Sequence, residues 1–283
     1  MYGEPHIFVS LHPENIYPMH NVYLTLAGLF CLVTAASAQI SFNGNYIQNF
    51  NTLTASTPLT LSDTNNAQTN IGIENWVGTK TGGTSTDFAL QPWAASNANV
   101  AGFYSFGVDS ADADRSIGSV SYATNYGNIV FGTSFTNATG ATINAITITY
   151  TAEFWRTTAS TTQVLTFAYG LSGGSLNGSN FLTASMTTSA GLSVTSPSSV
   201  SNTVQNGNLS ANQQSVSLTL TDLNWTTDKT LFIRWTDSDQ SGHESAIGVD
   251  DLVVSVVPEP SAYAVLAGAA GLVLAVVARR RRS

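Results

Sequence analysis

Between about Gln39 and Val256 the chain is built of short runs in which apolar and polar residues alternate. Ile143, Ile146, Ile148 and Tyr150 set one apolar face after a single irregular step. Residues 164–169, 216–220, 231–235 and 247–256 keep the same two-residue period, which is that of a half-buried strand. Between the runs stand Asn43-Gly44, Gly127-Asn128, Asn177-Gly178 and Asn206-Gly207-Asn208, pairs that accept tight-turn geometry. No stretch here carries a helical period. The pattern predicts an all-β domain over residues 39–256, an antiparallel β-sandwich or jelly roll of roughly a dozen strands. Residues 185–214, rich in Ser, Thr and Asn, read as long surface loops with one weak strand, and residues 79–86 as another loop. Trp155 and Trp235 sit in strand-like runs and are expected in the core.

The two ends break this pattern. Tyr23 to Ala38 is apolar and closes on Ala36-Ser37-Ala38, the small-residue sequence at which a signal peptidase cuts. Cleavage there makes Gln39 the new N-terminus. Residues 1–18 carry three prolines and two glutamates and look like no signal sequence, so the expected start is Met19, with a signal helix over 19–38. At the other end, Pro258-Glu259-Pro260 precedes an uncharged run, residues 262–278, and then Arg279, Arg280, Arg281 and Arg282. Seventeen helical residues reach about 26 Å, the short end of a membrane span. Four guanidinium groups cannot follow into hydrocarbon and stop the chain on the cytoplasmic side, so the body is expected outside. The prolines keep the peptide ahead of the span extended.

The order Pro-Glu-Pro, apolar helix, arginine cluster over residues 257–283 resembles the PEP-CTERM sorting domain of exopolysaccharide-making Gram-negative bacteria. The resemblance implies an exosortase partner, recognition through Pro258, Glu259 and Pro260 as substrate residues, an inner-membrane-anchored precursor, and a final place at the cell surface or outside it. Asn49-Phe50-Asn51-Thr52-Leu53, Asp114-Arg115-Ser116-Ile117-Gly118-Ser119 and Gly248-Val249-Asp250-Asp251-Leu252 also look like a β-sandwich module of secreted bacterial proteins, which informs fold and location only.

Composition narrows the function. Charged residues make up 9% of the chain, against about 25% in ordinary domains. Residues 39–257 hold five basic and fourteen acidic side chains, a net charge of −9 that repels nucleic acid. Cys31 is the only cysteine and precedes the expected cut, so the body forms no disulfide and no thiolate metal site. His243 is the only histidine there, no Gly-x-Ser-x-Gly elbow occurs, and Glu74, Glu153 and Glu244 are the only glutamates. Hydrolysis through a Ser-His-Asp set or two facing carboxylates therefore finds little material. The expectation is a non-enzymatic surface protein associated with exopolysaccharide. A calcium-stabilised carbohydrate-binding module is the alternative, and an unrecognised hydrolase a further one. For calcium, Asp237, Asp239, Glu244, Asp250 and Asp251 form the densest acidic run, although the EF-hand spacing fails because Gly248 stands where a bidentate Glu belongs. For sugar, Trp93, after Pro92 and among polar residues, is the aromatic side chain expected at the surface.

Overall fold

The computed structural model describes residues 39–61, 68–69, 71–85, 88–93, 100–121, 126–158, 162–173, 178–198, 202–240 and 244–258, with positions 268, 279 and 280. The expected signal segment, Glu259 and Pro260 lie outside the described residues, as does nearly all of the apolar run. Among the described residues no helix is long and apolar enough to cross a membrane.

In chain order the strands are β1 (Ile40–Phe42), β2 (Asn45–Gln48), β3 (Leu59–Leu61), β4 (Gln68–Thr69), β5 (Trp76–Thr81), β6 (Phe88–Pro92), β7 (Gly102–Phe106), β8 (Ser116–Val120), β9 (Asn128–Asn137), β10 (Ile146–Thr157), β11 (Val164–Ser172), β12 (Thr187–Thr195), β13 (Thr203–Val204), β14 (Gln213–Leu220), β15 (Thr230–Asp237) and β16 (Ala246–Val256). One six-residue helix, α1 (Gly178–Thr183), and a 3-10 turn, Ser210–Asn212, complete the described elements. The first sheet runs β12-β11-β15-β9-β5-β4, with β1 also on β9. The second runs β13-β10-β16-β8-β7-β6-β3, with β14 also on β10 and β2 also on β16. The expected all-β architecture is thus observed, with one amendment: β1–β9 and β6–β7 pair in parallel, so the sheets are not purely antiparallel.

The main core lies between the sheets. From the first come Leu231, Ile233 and Trp235, spaced by two along β15; from the second come Ile146, Ile148 and Tyr150 of β10 and Leu252 and Val254 of β16. Trp235 is the hub. It stacks on Trp76 (centroids 6.1 Å) and Phe131 (5.8 Å) and meets Tyr150 and Phe167 edge-on. Two smaller clusters cover the outer faces. Phe181 of α1 packs on Val77, Val130 and Phe232 of the first sheet, while Arg234 Nη1 donates to the carbonyls of Phe181 and Leu182 at 3.0 Å, closing the end of that helix. On the second sheet, Trp93, Tyr104, Phe106, Val120, Trp155 and Ala246 form a layer of their own. This layer explains why β7 and β8 are buried at every position and do not alternate.

The stretch expected to be mostly loop contains β12, nine residues long, whose Leu192 and Val194 reach the core while Thr187, Thr188 and Thr195 are exposed. In residues 79–86, Thr79, Lys80 and Thr81 belong to β5. The chain enters and leaves the body at one place: β2 pairs with the last part of β16, and Val256 N donates to Gly44 O at 2.9 Å.

Candidate functional site

The acidic residues singled out from sequence fall into two groups. Asp237, at the end of β15, is buried and ties the sheets together. Its carboxylate accepts from Ser119 Oγ of β8 at 2.6 Å, from Ser121 N at 3.0 Å, and from Gln163 Nε2. Burial pushes its pKa up to about 6, opposed by those donors. Glu244 is also buried. Its Oε1 accepts from Gln240 N, while Oε2 finds no donor among the described residues. Burial first, and then the charge of Asp237, push its carboxyl up to about 9. Asp239 is exposed, with its backbone N–H held by Asn128 Oδ1 at 3.0 Å. His243 lies outside the described residues.

Asp250 and Asp251 sit apart, on the outer face of the second sheet. A register shift between β10 and β16 falls there, with Asp251 at φ 48° and exposed. Asp250 is 4% exposed and its Oδ1 finds no hydrogen-bond donor among the described residues. Burial, and then the charges of Glu153, Asp251 and Asp114, push its carboxyl up to about 8. Among the described residues neither aspartate accepts a hydrogen bond from Arg115. That buried guanidinium donates instead to Ser105 Oγ, Ser105 O and Asp109 O. The five acids therefore do not share one loop, and among the described residues no three His, Cys, Asp or Glu side chains are grouped to hold a metal ion.

The aromatic expectation is corrected. Trp93 is 5% exposed, edge-on to Tyr104 at 5.1 Å and tilted against Phe106 at 5.0 Å. Polar neighbours in sequence hid the aromatic layer on this outer face, to which Trp93 belongs. All five tryptophans are buried, so none offers a free ring face.

A cleft that the sequence reading missed lies where β10, the end of β12 and the start of β14 meet. It has a volume of about 380 Å³ and is lined by Phe154, Thr195, Pro197, Gln205, Asn212 and Gln213 with their neighbours. Its amides are fixed. Gln205 Nε2 donates to Thr157 Oγ1 at 2.7 Å, Asn212 Nδ2 to Asn206 O at 2.8 Å, and Gln213 Nε2 to Glu153 Oε1 at 3.1 Å. Buried Glu153 also accepts from Trp155 Nε1 at 3.1 Å, and burial raises its pKa. The run Asn212-Gln213-Gln214 was the available signal, submerged in a stretch assigned to loops.

No protein-family profile matches the chain, and no curated protein is similar to it at a meaningful level. Its likeness to solved structures is distant. The enzymatically active domain of tailspike protein 4 of bacteriophage CBA120 is 10% identical, with a TM-score of 0.36; the match covers 68% of this chain and 21% of that one, so the chain spans about a fifth of the tailspike domain. The CBM22-2 xylan-binding domain from Paenibacillus barcinonensis is 12% identical, with a TM-score of 0.31 and coverage of 51% and 80%. The K3 cleaved adhesin domain of Lys-gingipain from Porphyromonas gingivalis is 14% identical, with a TM-score of 0.36 and coverage of 70% and 99%. At these values no residue role and no ligand transfers to this chain.

Proposed function

We propose that this chain is an exported, non-enzymatic surface or matrix protein, sorted through its C-terminal tail and associated with exopolysaccharide. One observation carries the reading. Strand β1 opens at Ile40, one residue after Gln39, the expected new N-terminus, and β16 closes at Val256, two residues before Pro258. Both expected processing points thus fall just outside the outermost strands, and both cuts leave the sheets intact. Pro258 is exposed, as a protease substrate must be. Having no N–H, it cannot prolong the β16 ladder. Signal peptidase would act at Ala36 and Ala38, and an exosortase near Pro258, Glu259 and Pro260, with Arg279 to Arg282 holding the precursor at the inner membrane. Mass spectrometry of the mature protein from its native host tests this. The expected species begins at Gln39 and lacks everything after the Pro-Glu-Pro motif; a mature species that keeps its arginines overturns the sorting step.

A second reading, calcium-stabilised carbohydrate binding, is favoured by Asp250, whose buried Oδ1 finds no donor among the described residues and whose neighbours are acidic. A hard cation accepts such oxygens. On this reading the thermal midpoint rises in millimolar Ca²⁺ relative to chelator, and equal midpoints remove the metal.

A further inference from the structure

We infer that the amide-lined cleft between β10, β12 and β14 is a binding site for a neutral polysaccharide. The inference rests on the surface-protein reading above and names the ligand class that the body would grip.

The rim is acceptor-rich and rigid. Each of Gln205, Asn212 and Gln213 commits its nitrogen to the protein, and no donor within the described residues reaches the carbonyl oxygen of any of the three. An amide held in this way offers a fixed oxygen and a second N–H, a pair that matches hydroxyl groups, which both donate and accept. The shelf carrying these amides is itself pinned. Gly207 lies so close to the Trp155 ring that a Cβ there would stand 2.4 Å from it. Asn208 N donates to Asn206 Oδ1 at 3.0 Å, and Asn212 N to Leu209 O at 2.7 Å. Little ordering remains to be done when a ligand arrives. Phe154, Pro197 and Ala211 add apolar surface, which suits the C–H faces of a sugar ring. Among the described residues no Lys, Arg, Asp or Glu lines the cleft. A polyanion would find no counter-charge there and would meet a body of net charge −9. The volume of about 380 Å³ falls within the about 300–1,000 Å³ of ligand pockets.

The test uses the full chain, purified in detergent, in affinity electrophoresis through gels containing dextran, galactomannan, xylan or the polyanion alginate. Retardation by at least one neutral polymer, with none by alginate, is the expected result. Asn212→Ala combined with Gln213→Ala should weaken that retardation at least tenfold, with the thermal midpoint lowered by the loss of their bonds to Asn206 O and to buried Glu153. Thr195→Trp, which fills the cleft mouth from an exposed edge-strand position, should abolish it and guards against a folding defect in the double variant. Retardation by no neutral polymer, preference for alginate, or binding that survives both variants overturns the assignment. Because the assay needs no processing, a failed sorting experiment with intact binding refutes only the tail reading. Normal sorting without binding refutes only the cleft.

Discussion

Trp235 is central to the core, being fully buried and touching four other rings. Replacing it by Ala leaves a cavity bounded by both sheets, and the cost expected for such a change is about 3–5 kcal/mol. Urea unfolding of Trp235→Ala should show the midpoint falling with little change in slope. This residue was legible in sequence, since it ends the alternating run 231–235. Trp93 was not. Alternation marks the face toward the main core, whereas Trp93 is covered by a second apolar layer that only tertiary structure creates. The amides of the cleft were equally hidden, because what distinguishes Gln205, Asn212 and Gln213 from other polar residues is which atoms hold their nitrogens.

Among the elements, the ladder between β8 and β16 leaves no room for a side chain at Gly118. Gly118 faces Gly248 in the ladder, and a Cβ on Gly118 would stand 2.0 Å from Ile247 O. That atom is backbone and cannot swing aside, so Gly118→Ala must part the strands. A loss of at least about 1–3 kcal/mol is expected, read as a lower thermal midpoint. The main strands β10, β11, β15 and β16 were visible in the sequence through their period. Strand β12, in the stretch read as loops with one weak strand, was only faintly visible, because an edge strand with one wet face carries Thr, Ala and Gly at its exposed positions and resembles a loop in composition. The paired glycine at the β8–β16 crossing also left no mark that one sequence can show.

For the whole molecule, buried acids set a pH dependence. Glu244 ordinarily titrates near 4.5 and is raised to about 9 by burial and by Asp237. The folded state therefore holds a proton that the unfolded state has released, and stability falls as pH rises from about 4.5 to about 9, then levels off. Glu244→Gln keeps an oxygen for Gln240 N–H and carries no charge, so it should flatten that decline. Chemical denaturation at pH 5, 7 and 9 measures the difference. An equally steep decline in the variant would move the effect to Asp250 or Asp237.

The hydrogen bond from Val256 to Gly44 brings both ends of the body to one pole. The cleft lies toward the other, since Phe154 pairs with Ile247 at the start of β16, nine residues before Val256. At about 3.3 Å per residue those positions are about 30 Å apart. On the tethered reading, a precursor still fixed by its tail would reach into the space beyond the lipid headgroups with its gripping end foremost. It would then be able to take hold of a secreted polymer before, and not only after, it is cut free.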